Sequence, residues 1–174
     1  DFLFQGTVIH LWYLPQSALA LVLFNSLKKR FSIQLILIIS FGFYFIGVFA
    51  DAYSGFILPT NFFYPIQQTY LSIFLTSRNA LFFALFYIVL GYALKDFKRI
   101  SFLKSSVGFI ISLGLMIVEL LVIIAPFNPI DYNYYFSLIP TMYFFYQMIL
   151  SIHLKERAIY VHLRHMASNI YFSH

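Results

Sequence analysis

The chain has no cysteine, so neither a disulfide framework nor a thiolate metal site can be built from it. Charge is scarce as well. Asp, Glu, Lys and Arg together make 10% of the 174 residues, against about 25% in an ordinary soluble domain. Apolar residues fill the space at 61%, and the mean hydropathy is +0.84. A soluble globular domain is nearly excluded by that balance. No glycine-rich phosphate loop is present. No two histidines have the spacing and carboxylate company of a metal site, so no bound metal is expected. The opening residues, Asp1 to Gly6, carry no basic n-region and the first apolar run ends without a small-residue cleavage site, so no signal peptide is expected.

What is present is a set of long apolar runs separated by charge. A bilayer core of about 30 Å needs about 20 helical residues. Five stretches meet or approach that length, at 7–27, 31–50, 78–94, 105–125 and 134–153, and a sixth starts at 166–174. The expected fold class is therefore all-α, a polytopic transmembrane helix bundle with five complete spans and the start of a sixth. Of the 11 Lys and Arg residues, all but Arg78 fall in three clusters: Lys28 to Arg30; Lys95, Lys98, Arg99 and Lys104; and Lys155, Arg157 and Arg164. The clusters occupy alternate gaps between the runs. Positive-inside logic puts them in the cytoplasm, and puts the N-terminal end and the 51–77 and 126–133 loops outside. The net charge of +5 thus reads as topology in a multi-pass bacterial plasma-membrane protein, with membrane lipid as a partner and no nucleic acid.

The 51–77 connection is too long and too aromatic for a passive turn, holding Tyr53, Phe56, Phe62, Phe63, Tyr64 and Tyr70. Two readings stay open: it lies along the outer interface, or it packs as a lid on neighbouring helices.

An ionisable side chain at membrane depth costs a few kcal/mol, so those that remain usually face the interior and take part in function. His10 lies about 5 Å inside the outer end of the first span, with Tyr13 and Ser17 on its face and Pro15 removing a backbone donor. It is either a site residue or an interfacial histidine in water. Arg78, beside Asn79, is the one basic residue on the side that the charge rule disfavours. Its planar fork of donors suits an anion clamp; the alternative is a side chain that snorkels to the interface. Glu119 shares a 4, 3, 4 stripe with Gly108, Ser112 and Leu115, so that face is expected to look inward, about 21 Å from the cytoplasmic edge. His10, Arg78 and Glu119 are expected to share one layer under the outer surface, with a structural Arg–Glu ion pair as the plainer alternative. His153, His162 and His165 are expected to be solvated at the cytoplasmic side.

The runs His10-Leu11-Trp12-Tyr13-Leu14-Pro15 and Thr76-Ser77-Arg78-Asn79-Ala80-Leu81-Phe82-Phe83 resemble the acyltransferase 3 family of polytopic membrane proteins. The first run and Phe49-Ala50-Asp51-Ala52-Tyr53 look most like the membrane domain of vancomycin-resistance-type serine racemases. Asp131-Tyr132-Asn133-Tyr134-Tyr135, Leu138-Ile139-Pro140 and the segment 163–174 are similar to that family's late helices. The resemblance implies a bundle of about ten helices, of which this chain looks like the second half. It implies an O-acyltransferase that moves an acyl group, usually acetyl, from cytoplasmic acyl-CoA to a hydroxyl of an envelope carbohydrate, with acyl-CoA as co-substrate and no tightly bound cofactor. By carry-over, His10, Arg78 and Glu119 form the catalytic set, and Trp12, Tyr13 and Asn79 line or support the substrate. The racemase branch implies instead a membrane domain that supplies serine, followed by a soluble pyridoxal-phosphate domain. In that case Arg78 holds the carboxylate of an amino acid and Glu119 its ammonium group. A third reading is a structural membrane subunit without chemistry of its own.

Overall fold

The computed structural model describes residues 13–74, 79–95, 97–130, 132, 134–152, 159–160, 162–163 and 165–166. Every regular element among the described residues outside the short fragments at 159–166 belongs to a helical series: α1 (Tyr13–Lys28), α2 (Ile33–Ala50), α3 (Tyr64–Phe74), α4 (Ala80–Leu94), α5 (Phe102–Phe127) and α6 (Leu138–Leu150). A short 3₁₀ turn at Ser54–Phe56 interrupts the loop after α2.

The apolar runs fix where the helices lie, and polar side chains fix where they start. Ser32 caps α2, its Oγ accepting from the Leu35 N–H at 3.3 Å; the hydroxyl satisfies a donor that has no partner within the helix. Asn79 does the same for α4, whose first turn, Ala80–Ala84, is wound as a π-helix. The far end of α5 is also π-wound over Glu119–Ile124 and ends in a 3₁₀ turn at Ala125–Phe127. There Asn128 takes a left-handed conformation (φ 50°) and breaks the helix direction. Asparagine is among the few side chains that occupy that region readily.

Helix α4 is the axis of the molecule. Its Ala80, Ala84, Leu85 and Val89 pack with Ala20 and Phe24 of α1 and Ile36 of α2. Its Phe86 joins Tyr44 and Val48 of α2, Ile124 of α5 and Tyr134. Its Phe82 meets Ala50 of α2 and Tyr70 of α3. The small residues Ala20, Ala80 and Ala84 let these backbones approach closely, as in membrane helix pairs. Helices α5 and α6 pack against each other at Gly108, where an added Cβ would stand 2.5 Å from the Phe144 ring.

Five spans were expected, and the structure corrects that number. Two described helices, Ile33–Ala50 and Phe102–Phe127, are long and apolar enough to cross a membrane. Ala80–Leu94 and Leu138–Leu150 are apolar but shorter, about 22 Å and 20 Å of helix against a hydrocarbon core of about 30 Å. The reason is local. The cap at Asn79 fixes the start of α4, and the N–H groups of Phe136 and Ser137, just ahead of α6, are held by a side chain of α5 (below). The first expected span begins outside the described residues, as does the sixth beyond Met166, and α1 is described over 16 residues.

Within the 51–77 connection, Tyr70 is buried, Phe56 stacks on Phe127 with ring centres 4.1 Å apart, and the Ser54 Oγ accepts from the Ile130 N–H at 2.8 Å, so part of it packs on neighbouring helices. Phe62 and Phe63 are exposed. The amphipathic helix α3 within this connection had no counterpart in the reading of the sequence. The stripe on α5 is also corrected at one position: Ser112 and Glu119 are buried, but Leu115 is 56% exposed. Its neighbours cover the two small residues and the carboxylate and leave the leucine between them open.

Gly55 and Gly42 make a matched test of this packing. A Cβ at Gly55 would lie 1.9 Å from the backbone oxygen of Phe127, whereas one at Gly42 meets nothing within 4 Å. Gly55→Ala should destabilise by about 1–3 kcal/mol. Gly42→Ala should be neutral or stabilise by up to about 1 kcal/mol. Thermal unfolding of the full-length protein in detergent reads both.

Candidate functional site

Three of the six residues singled out from sequence, His10, Trp12 and Arg78, lie outside the described residues, so the expected shared layer is described only at Glu119. Lys155, Arg157, Arg164 and His153 also lie outside them. Tyr13 opens α1 and is half exposed. His162 and His165 are exposed.

Asn79 is buried, and its Oδ1 accepts from the N–H groups of Leu81 and Phe82, each at 3.0 Å. A second amide joins it from another helix: the buried Gln16 of α1 accepts from the Ala80 N–H at 2.9 Å through its Oε1. Three consecutive donors at the start of α4 are thus satisfied by two side chains 63 residues apart. Buried among apolar side chains those donors are out of reach of water, and each left unpaired would cost about 1–3 kcal/mol. Gln16 was missed in the sequence because only ionisable groups were weighed there; an amide within an apolar run is the signal that marks it.

Glu119 is buried at the π-wound end of α5. Its Oε1 accepts from the Tyr53 hydroxyl and the Phe136 N–H, both at 2.7 Å. Its Oε2 accepts from the Ser137 N–H at 2.8 Å and from the Ser137 hydroxyl. Four donors therefore converge on one carboxylate, two of them backbone groups directly ahead of α6, where the helix dipole favours negative charge. The same short segment is held from its other side. Tyr87 donates to the Tyr44 hydroxyl at 3.0 Å, and Tyr44 donates to the Tyr135 carbonyl at 2.7 Å. Tyr134 is fully buried and stacks on Phe83 at 4.9 Å. Residues 134–137 thus tie α2, α4, α5 and α6 together. Burial pushes the Tyr53 phenol above its ordinary value, and its hydrogen bond to Glu119 pushes it further. Tyr135 also moves up, first by burial and then through the nearby Glu119 charge.

Beside this network, the C-terminal end of α2, the 51–63 loop and α3 line a cavity of about 620 Å³. Phe45, Phe49, Phe56 and Tyr70 form much of its wall, with Asn61 and Gln67 as the amides. Asn61 donates to the Phe56 carbonyl at 3.1 Å and Gln67 to that of Ala50 at 3.5 Å. No charged side chain lines it, so it suits hydrocarbon and offers a zwitterion no charged partner. Among the described residues no group of three metal-ligating side chains occurs. The described lysines, at 28, 29, 95, 98 and 104, are all exposed and none lines the cavity. They do not fit a pyridoxal-phosphate group.

No family model and no solved structure matches the chain. It is similar to an amino-acid racemase of Enterococcus faecalis, 31% identical over 96 residues that cover 55% of this chain and 14% of the racemase. It is also similar to a serine/alanine racemase of Enterococcus gallinarum, 28% identical over 155 residues that cover 87% of this chain and 22% of the racemase. The chain spans less than a quarter of the length of these curated relatives. Their names place them among isomerases, which overturns the O-acyltransferase expectation. The acyltransferase 3 resemblance gains no support from any family model.

The two caps differ in what they hold, and their removal should differ accordingly. Asn79→Ala should cost about 2 kcal/mol, because it strips the acceptor from two donors at a buried helix start. Glu119→Ala should cost about 3 kcal/mol, because it strips the acceptor from buried donors. Tyr53 adds a pH signature with a definite sign. Its raised folded value means that its contribution is fully present below about pH 10 and is lost as pH rises beyond it. Unfolding curves taken across that range should decline less steeply for Tyr53→Phe than for the parent.

Proposed function

We propose that this chain forms a multi-pass membrane part of a racemase-type protein, and that this part serves uptake of a small amino acid such as serine. The observation that carries the reading is the 28% identity to a serine/alanine racemase that runs along 87% of the chain. The two long helices expose apolar faces, among them Ile38, Ile110 and Leu121, as contact with lipid requires. The basic ends of α1 and α4 meet, with the Lys28 Nζ 2.5 Å from the Tyr92 hydroxyl. That pairing supports a common cytoplasmic side in a bacterial plasma membrane. An amino acid in transit needs a cation for its carboxylate, and Arg78 is the residue of this chain suited to that part. Because the relatives are several times longer, a soluble domain fused to this part belongs to the proposal.

One observation favours a second reading, a membrane part that anchors and does not transport. Glu119, the acid that would have held the ammonium group, already accepts from four donors.

Membrane vesicles containing the full-length protein should accumulate labelled L-serine above vesicles that lack it. Arg78→Ala should lower that uptake about ten-fold or more per folded protein, the size of a lost charge-assisted contact. Glu119→Gln should lower the melting temperature and leave uptake per folded protein unchanged. Equal accumulation with and without the protein would sink the transport reading and leave the anchor.

A further inference from the structure

The ends of α1 and α4 bring two lysines onto one ring. The Nζ of Lys28 lies 4.1 Å from the centre of the Tyr92 ring, and that of Lys95 lies 4.0 Å from it. Lys28 also donates to the Tyr92 hydroxyl at 2.5 Å. Lys28 and Lys95 are 67 positions apart in sequence and meet only because α1 packs on α4 through Ala20, Phe24, Ala84 and Val89. Two ammonium groups held at one aromatic ring concentrate positive charge there. The immediate sequence neighbours supply the other half of an amphipathic site. Phe31 follows Lys28-Lys29-Arg30 and Phe97 follows Lys95 by two positions, and both rings are exposed.

From this geometry we infer that Lys28, Lys95 and Tyr92 form a binding site for the phosphate of an anionic membrane lipid. The inference rests on the membrane reading above. A phosphodiester accepts from two ammonium groups at once, and a basic notch between helices at the cytoplasmic surface is where such head groups are held. Exposed phenylalanines at the same helix ends favour a lipid over a free phosphate, because the ligand then carries apolar chains beside its charge. Tyr92 is a positioning residue that gathers the two lysines.

The full-length protein in detergent, titrated with dihexanoyl phosphatidylglycerol, dihexanoyl phosphatidylcholine and inorganic phosphate, tests this. Phosphatidylglycerol should bind at least about ten-fold tighter than either of the others. The double variant Lys28→Gln with Lys95→Gln should weaken it about ten-fold or more, the size of a lost charge-assisted contact to the phosphate. A control that removes the same charge, Lys29→Gln with Lys104→Gln, should weaken it less than about three-fold. Equal loss in the two doubles would show a diffuse potential and overturn the site; inorganic phosphate binding as tightly as the lipid would overturn the lipid assignment. Carbonate washing of membranes separates the two layers of the argument. Release of the protein sinks the membrane reading, and retention without lipid preference sinks the site alone.

Discussion

A carboxylate at the end of one helix, accepting from four donors that belong to two other segments, is the interaction on which this end of the molecule depends. Glu119 takes up the hydroxyls of Tyr53 and Ser137 and the backbone N–H groups of Phe136 and Ser137. Its effect is architectural. The segment ahead of α6 has no helical partners for those groups and is partly buried among aromatic rings, so without the carboxylate each would be a donor without its partner. The tyrosine relay from Tyr87 through Tyr44 to the Tyr135 carbonyl completes the same segment from its acceptor side. The molecule thus spends its few polar side chains on closing its own backbone.

The start of α4 obeys the same rule with neutral groups. Asn79 and Gln16 supply the acceptors, and the helix they cap is shared by all three hydrophobic clusters. Capping and burial are linked: a helix end can be drawn into the middle of a bundle only when its leading N–H groups are satisfied. Both caps sit at π-wound turns, where the hydrogen-bond ladder is displaced by one residue. Asn79 takes two of the leading donors of its own helix, and Glu119 takes donors that come from outside its helix.

These findings redraw the functional picture in one direction. Similarity to proteins named racemases turns attention from acyl transfer to amino acids. Meanwhile two of the polar residues that seemed set aside for chemistry are engaged in holding helices. Arg78 carries the ligand-binding part of the proposal, because a guanidinium has the right donors for a carboxylate.

The sequence by itself determined the class and the positions of the helices. The apolar runs at 31–50 and 105–125 reappear within a few residues as α2 and the body of α5, because the spacing of apolar residues is a local property and the bilayer length is a fixed ruler. Helix lengths, by contrast, were decided by tertiary contacts. Whether residues 134–137 continue α6 or leave it turns on a carboxylate 17 or 18 positions away, and whether α4 starts at Ala80 turns on an amide in α1. The role of Glu119 was hidden for the same reason. A buried acid is legible as costly from its position alone, but what repays that cost is the set of donors brought to it by the packing of other helices.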